Sequence, residues 1–222
     1  MKGSSVAHVG GIFAILTGLM YVVVGITFLL DSATGDTQRE FLEALSAAPL
    51  PHLANHIAFG LIGVFMLAAV PAISSELGEE HAGWMKYFTT LALFGFAVTA
   101  LGDFQTLGFH LKQIDALRGA DSTARVAVVE ASRYSSLDPL DVITFGAAGF
   151  WIFFTSIFAL QARRWPRLLG VAGLVFGGAY WLVAVGTITG LGLLTAIAAA
   201  LGGVLAAPIW LIWLGVRLRR MA

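Results

Sequence analysis

The residues of this chain best equipped for chemistry stand inside or at the edge of long apolar stretches: His52, His56, Asp103, Gln105, His110 and Asp141. His52 and His56 are four apart, so a helix stacks them on one face, one turn from each other. Asp103 and His110 are seven apart, about two turns, and share a face as well. Imidazoles of His52, His56 or His110 with a carboxylate of Asp103 or Asp141 make a donor set suited to zinc or another divalent metal, and the set favoured for the metal is His56, Asp103 and His110. Haem b held between His56 and His110 is a second arrangement, although the multi-histidine pattern at matched depths toward both membrane faces is missing. The third reading asks least of the sequence: a hydrogen-bonded network, with Asp103 on His56 and Gln105 on a neighbouring backbone.

Other chemistries lack their parts. Without a cysteine there are no disulfides, thiolate metal sites or cysteine nucleophiles. No GxSxG elbow, HExxH pair or Ser-His-Asp order with supporting spacing occurs. The nearest approach to an intramembrane zinc hydrolase is the histidine pair with an aspartate, but the serine and further histidine motifs of that chemistry are absent. Lys86 lies at the inner boundary of the third apolar run and Lys112 beyond its outer end, so no span has a lysine suited to carry retinal. Thirteen basic and thirteen acidic residues balance, which gives no overall pull toward nucleic acid.

The elements that must position these groups are membrane helices. In 222 residues, 58% are hydrophobic and only 12% charged, against roughly a quarter charged in soluble domains. Six runs reach the ~20 residues needed to cross a bilayer: about Val9–Leu30, His52–Ser74, Trp84–His110, Pro139–Gln161, Leu168–Gly190 and Leu194–Arg217. Strand-type alternation is absent, so the expected class is all-α: a polytopic bundle forming one transmembrane domain over 1–222. The first run exceeds a signal peptide's apolar region and lacks a convincing cleavage site, so it reads as a retained helix.

Charge sets the orientation. With the N-terminus inside, the inner face carries Lys2, Lys86, Arg163, Arg164, Arg167, Arg217, Arg219 and Arg220, and the outer face Arg39, Lys112, Arg118, Arg125 and Arg133. The compact clusters at 163–167 and 217–220 adjoin helix ends, where the positive-inside rule acts most strongly. The expected topology is therefore multi-pass, with both termini cytoplasmic. The partners admitted are the lipid bilayer and either other membrane subunits or a second copy.

That orientation gathers the polar residues. The second run starts outside, the third ends outside and the fourth starts outside, so His52, His56, Asp103, His110 and Asp141 fall at one end of the bundle. His56, Asp103 and His110 are expected to converge on a funnel about 10 Å deep, because Asp103 lies two turns below His110 at ~1.5 Å per residue. Asp141 belongs at its edge and His52 at its mouth. A buried carboxylate must be paired or protonated, so Asp103 needs a histidine or a proton.

Two loops are expected to hold short helices on the membrane surface. The first, 36–47, spaces Phe41, Leu42 and Leu45 helically; the second covers 121–134. FGxxG recurs at Phe59–Gly63 and Phe145–Gly149, and Gly11, Gly18 and Tyr21 recur in spacing as Gly170, Gly177 and Tyr180, a pattern suited to three related hairpins. Gly60, Gly63, Gly146 and Gly149 are expected to face neighbouring helices.

Arg164-Trp165-Pro166-Arg167-Leu168-Leu169-Gly170-Val171-Ala172-Gly173-Leu174, followed by Pro208-Ile209-Trp210-Leu211-Ile212-Trp213-Leu214-Gly215, resembles six-helix bacterial membrane proteins of the domain-of-unknown-function kind. The resemblance implies helix count and bacterial origin, and with the orientation above a place in the bacterial plasma (inner) membrane, but no activity and no site residue. Two function classes follow. One is a nonenzymatic accessory subunit or small-molecule binder with an outward polar pocket, favoured because the chain is short and lacks a recognisable catalytic set. The other is a metal- or haem-dependent membrane enzyme or redox protein using the same residues.

Overall fold

A computed structural model describes residues 5–32, 37–77, 81–119, 127 and 137–221. Six helices in it are long and apolar enough to cross a membrane, and no strand occurs among the described residues. The protein is a multi-pass all-α membrane protein.

α1 (Val6–Leu30) begins where the Ser5 hydroxyl accepts the His8 amide at 3.1 Å and ends at Asp31. α2 (Gln38–Ala47) starts on a reciprocal capping box, Thr37 Oγ1 accepting from the Glu40 amide and Glu40 from the Thr37 amide. α3 (Pro49–Ser75) has proline in its first turn, where the missing N–H costs nothing. α4 (Ala82–Gly119) is 38 residues long, about 57 Å, so it overshoots a ~30 Å hydrocarbon core. α5 (Val142–Gln161) opens with a π-helical stretch, Val142–Ala147, whose Ile143 and Thr144 amides donate to Asp138 Oδ2 at 2.8 and 2.7 Å. α6 (Arg167–Thr189) stops at Gly190, whose φ of 70° is cheap only for glycine. α7 (Gly192–Met221) carries a second π-helical stretch, Ala200–Ala206.

Each span packs on the next one along the chain, and α1 closes the ring against α7. Close approach is bought with glycine: a Cβ on Gly63 would lie 2.6 Å from both the Phe96 carbonyl oxygen and the Ala100 nitrogen of α4, and one on Gly149 3.1 Å from the Gly177 carbonyl of α6. Gly60 likewise faces Phe104. Gly146 departs from the expectation, because a Cβ there would meet only Val142 Cγ1 of its own helix, at 3.9 Å. The interior is aromatic, with Trp151, Trp210, Phe176 and Tyr21 all fully buried, and Tyr21 and Tyr180 meeting hydroxyl to hydroxyl. Leu29, Leu193 and Leu168 are among the exposed apolar side chains, as a lipid-facing surface requires.

The third span runs nine residues past the expected end at His110. The extension gives α2 a partner: Leu42 and Leu45 of α2 are buried against Ile114 and Leu117 of α4. The expected surface helix over 36–47 therefore buries its apolar stripe on protein and not on lipid. The one over 121–134 lies outside the described residues.

Candidate metal centre

The end of the bundle away from the start of α1 and the end of α7 holds His52, His56 and His110. One helical turn of α3 places His52 above His56, and α4 brings His110 beside both. The ring centroids are 4.8 Å apart for His52 and His56, 5.0 Å for His52 and His110, and 5.5 Å for His56 and His110. One ring nitrogen from each of the three imidazoles lies within 4.8 Å of the other two.

Each α3 histidine is backed by a carboxylate. His52 Nδ1 is 2.7 Å from Asp31 Oδ2, at the end of α1, and His56 Nδ1 is 2.8 Å from Asp103 Oδ1 of α4. A carboxylate only accepts, so each Nδ1–H donates and each Nε2 is left with its lone pair. Those two Nε2 atoms face each other at 3.2 Å. Two lone pairs at that distance repel, and the arrangement calls for something positive between them: a proton or a metal ion. His110 is 8% exposed, and its buried Nδ1 has no hydrogen-bond partner among the described residues. Asn55, one residue before His56, holds α3 against α1 by donating to Thr27 Oγ1 at 2.9 Å.

Three imidazoles around a tetrahedral zinc ion, at metal–nitrogen bonds of 2.0–2.1 Å, would stand about 3.3 Å apart, which the His52–His56 pair already meets. Charge fits too. Two carboxylates with three neutral imidazoles total −2, and a divalent cation brings the cluster to zero, the state least costly at low dielectric. Haem fits poorly: the tilted rings, with centroids no more than 5.5 Å apart, leave no gap for a macrocycle between axial ligands on its opposite faces.

The residues picked out from sequence fall into two groups. His56, Asp103 and His110 come together with His52, but the roles of two differ from expectation: Asp103 sits behind His56, and His52 takes its place among the nitrogens facing the centre. The offset between Asp103 and His110 is bridged by His56, which touches the one and borders the other. Gln105 is exposed, two residues and so about 200° around α4 from Asp103. Asp141, just before the fourth span, accepts from Thr187 Oγ1 at 3.1 Å and not from a histidine. Burial raises its carboxyl above the usual range; Thr187 partly offsets this, and repulsion from Asp138 and Asp103 adds to it.

Sequence reasoning passed over Asp31 and Phe41. Asp31 ends the first apolar run at the same level as His52, so the alternation of helix direction that gathered the other residues also reaches it. Phe41 of α2 lies edge-on to His52 at 5.5 Å and tilted over His110 at 5.9 Å, roofing the cluster. Comparison of the chain with models of protein families, with curated proteins and with solved structures finds no match.

Proposed function

We propose that the protein is a metal-dependent membrane protein whose centre is a divalent ion of the zinc class on His52, His56 and His110. The observation that carries this reading is the pair of carboxylate-backed imidazoles aiming Nε2 at Nε2 across 3.2 Å, with a third buried imidazole beside them. Carboxylate, histidine and metal in series is the usual way a protein fixes the tautomer and raises the basicity of a ligating imidazole. Held by three protein nitrogens, as catalytic and not structural zinc sites are, such an ion would lower the pKa of a bound water to ~7 and so supply hydrolytic or hydration chemistry at neutral pH. The chain's own part is to hold the imidazoles through Asp31 and Asp103 and to cover them with Phe41. This moves the balance from a nonenzymatic subunit or binder toward a metalloenzyme.

The orientation proposed from charge has both termini in the cytoplasm of a bacterial inner membrane. In support, Lys86, Arg163, Arg164, Arg167, Arg217, Arg219 and Arg220 gather at the end of the bundle opposite the histidines. The centre would then open toward the periplasmic side.

The test is metal content. Protein purified without chelator should carry about one zinc-class ion per chain, and cobalt(II) substituted for it should give the visible bands of a tetrahedral nitrogen site. His56→Ala and His110→Ala should each lose the ion and keep helical circular dichroism. A folded wild-type chain that neither retains nor takes up zinc would defeat the reading and leave a proton shared between His52 and His56.

A further inference from the structure

At the opposite end of the molecule, the turn between α5 and α6 frames a cavity of about 470 Å3 lined by Leu160, Arg163, Trp165, Arg167 and Val171. Neither Arg163 nor Arg167 has a carboxylate partner among the described residues. By contrast, the neighbouring Arg217 is tied down, 3.5 Å from Glu76 and donating to the Arg164 carbonyl at 2.8 Å. The wall is rigid as well: Trp165 is buried, donates to Glu76 Oε2 at 3.0 Å and packs on Trp210. Two guanidinium groups with no carboxylate partner among the described residues thus border an anchored indole at the end of the bundle where α6 begins.

The backbone under Arg163 is informative. α5 ends in a Schellman turn, the Arg164 amide donating to the Ala159 carbonyl at 2.9 Å and the Arg163 amide to that of Leu160 at 3.2 Å. Arg163 occupies the left-handed position with φ 52°, where glycine is the usual and cheaper residue. Below the cavity, the outer face of α6 continues as exposed Val171 and Val175, then Gly178, beside which a Cβ would meet nothing within 4 Å, then exposed Leu182. Cationic groups at the top and a notched apolar strip beneath them match one kind of molecule, with an anionic head and a hydrocarbon tail.

We propose that this is a binding site for an anionic phospholipid, its phosphodiester between Arg163 and Arg167 and an acyl chain along Val171, Val175 and Gly178. The reading does not depend on the metal centre. It requires only that this end of the bundle lies at a membrane surface, where clustered basic residues take up acidic headgroups.

The experiment places the full chain in phosphatidylcholine nanodiscs with a trace of spin-labelled phosphatidylglycerol or spin-labelled phosphatidylcholine, and reads the motionally restricted fraction by electron paramagnetic resonance. The wild type should prefer phosphatidylglycerol, and Arg163→Gly and Arg167→Gln should each lower that preference about fivefold. Glycine suits the left-handed position, so Arg163→Gly separates lipid binding from folding: thermal stability should hold or rise while selectivity falls. The double variant Arg219→Gln/Arg220→Gln removes two charges at the same end and should keep the preference. An equal loss in that control, or an unchanged preference in Arg163→Gly, would overturn the site in favour of diffuse surface charge. Displacement of the labelled lipid by inorganic phosphate would overturn the lipid as its occupant.

Discussion

Asp103→Asn tests the metal centre most directly. The change keeps an acceptor of the same shape 2.8 Å from His56 Nδ1 and removes one of the two negative charges that would balance a divalent ion. Loss of such a partner weakens a metal site by about 10–100-fold, or roughly 1.4–2.7 kcal/mol. The side chains of His56 and Asp103 are only 20% and 19% exposed, so little solvent screening softens the effect. With free zinc at a hundred times the wild-type Kd, binding stabilises the fold by about 2.7 kcal/mol; a tenfold weaker variant would gain about 1.4 and a hundredfold weaker one about 0.4. The assay is thermal unfolding in micelles with zinc and with chelator, alongside competition against a fluorescent zinc indicator. The difference between the two unfolding curves isolates the metal's share, because the weakened hydrogen bond to His56 lowers stability in both. A variant as responsive to zinc as the wild type would refute the reasoning, even if it melts earlier.

Asp31→Asn should weaken zinc affinity in the same direction through His52, and because Asp31, His52, His56 and Asp103 form one network, the double variant should depart from the product of the two single losses. Gly63→Leu should destabilise by about 1–3 kcal/mol or prevent folding, since even its Cβ would sit 2.6 Å from the α4 backbone. Gly146→Ala should be neutral or stabilising by up to ~1 kcal/mol, because nothing but Val142 is near and alanine favours the helix; thermal unfolding in chelator reads both. In intact cells, Arg219→Cys should escape an impermeant thiol reagent while Thr37→Cys reacts, and the cysteine-free background makes either signal unambiguous; the reverse pattern would invert the orientation.

The spans were legible because membrane crossing imposes a length and a composition that apolar runs state directly, and the six observed helices contain or closely overlap the six expected. Reversal of direction at each turn then gathered His52, His56, Asp103 and His110 at one end. What sequence left open was rotation about each helix axis. Gly146 belongs to the same FGxxG pattern as Gly60 yet a Cβ on it would meet no neighbouring helix within 4 Å, and the helix bearing both Asp103 and Gln105 turns only the first inward. Apolar residues surround these spans on every side, so no amphipathic stripe announced the inward face. The polar extension of α4 was unread for the related reason that hydropathy ends at the bilayer while a helix need not, and the burial of α2 followed from that extension.

The ring's closure between its first and last spans bears on how the protein is made. Gly11 and Gly215 bring α1 and α7 together so closely that a Cβ on Gly215 would lie 2.5 Å from the Gly11 carbonyl oxygen. α1 is synthesised before α3 to α6 and α7 after them, so one flank of α1 waits beside lipid until α7 follows. The three clustered histidines and their carboxylates, by contrast, all lie between Asp31 and His110, in the first half of the 222-residue sequence. The proposed metal centre would therefore be available for assembly once α1, α3 and α4 have inserted, with docking of α7 as a separate, later event in biogenesis.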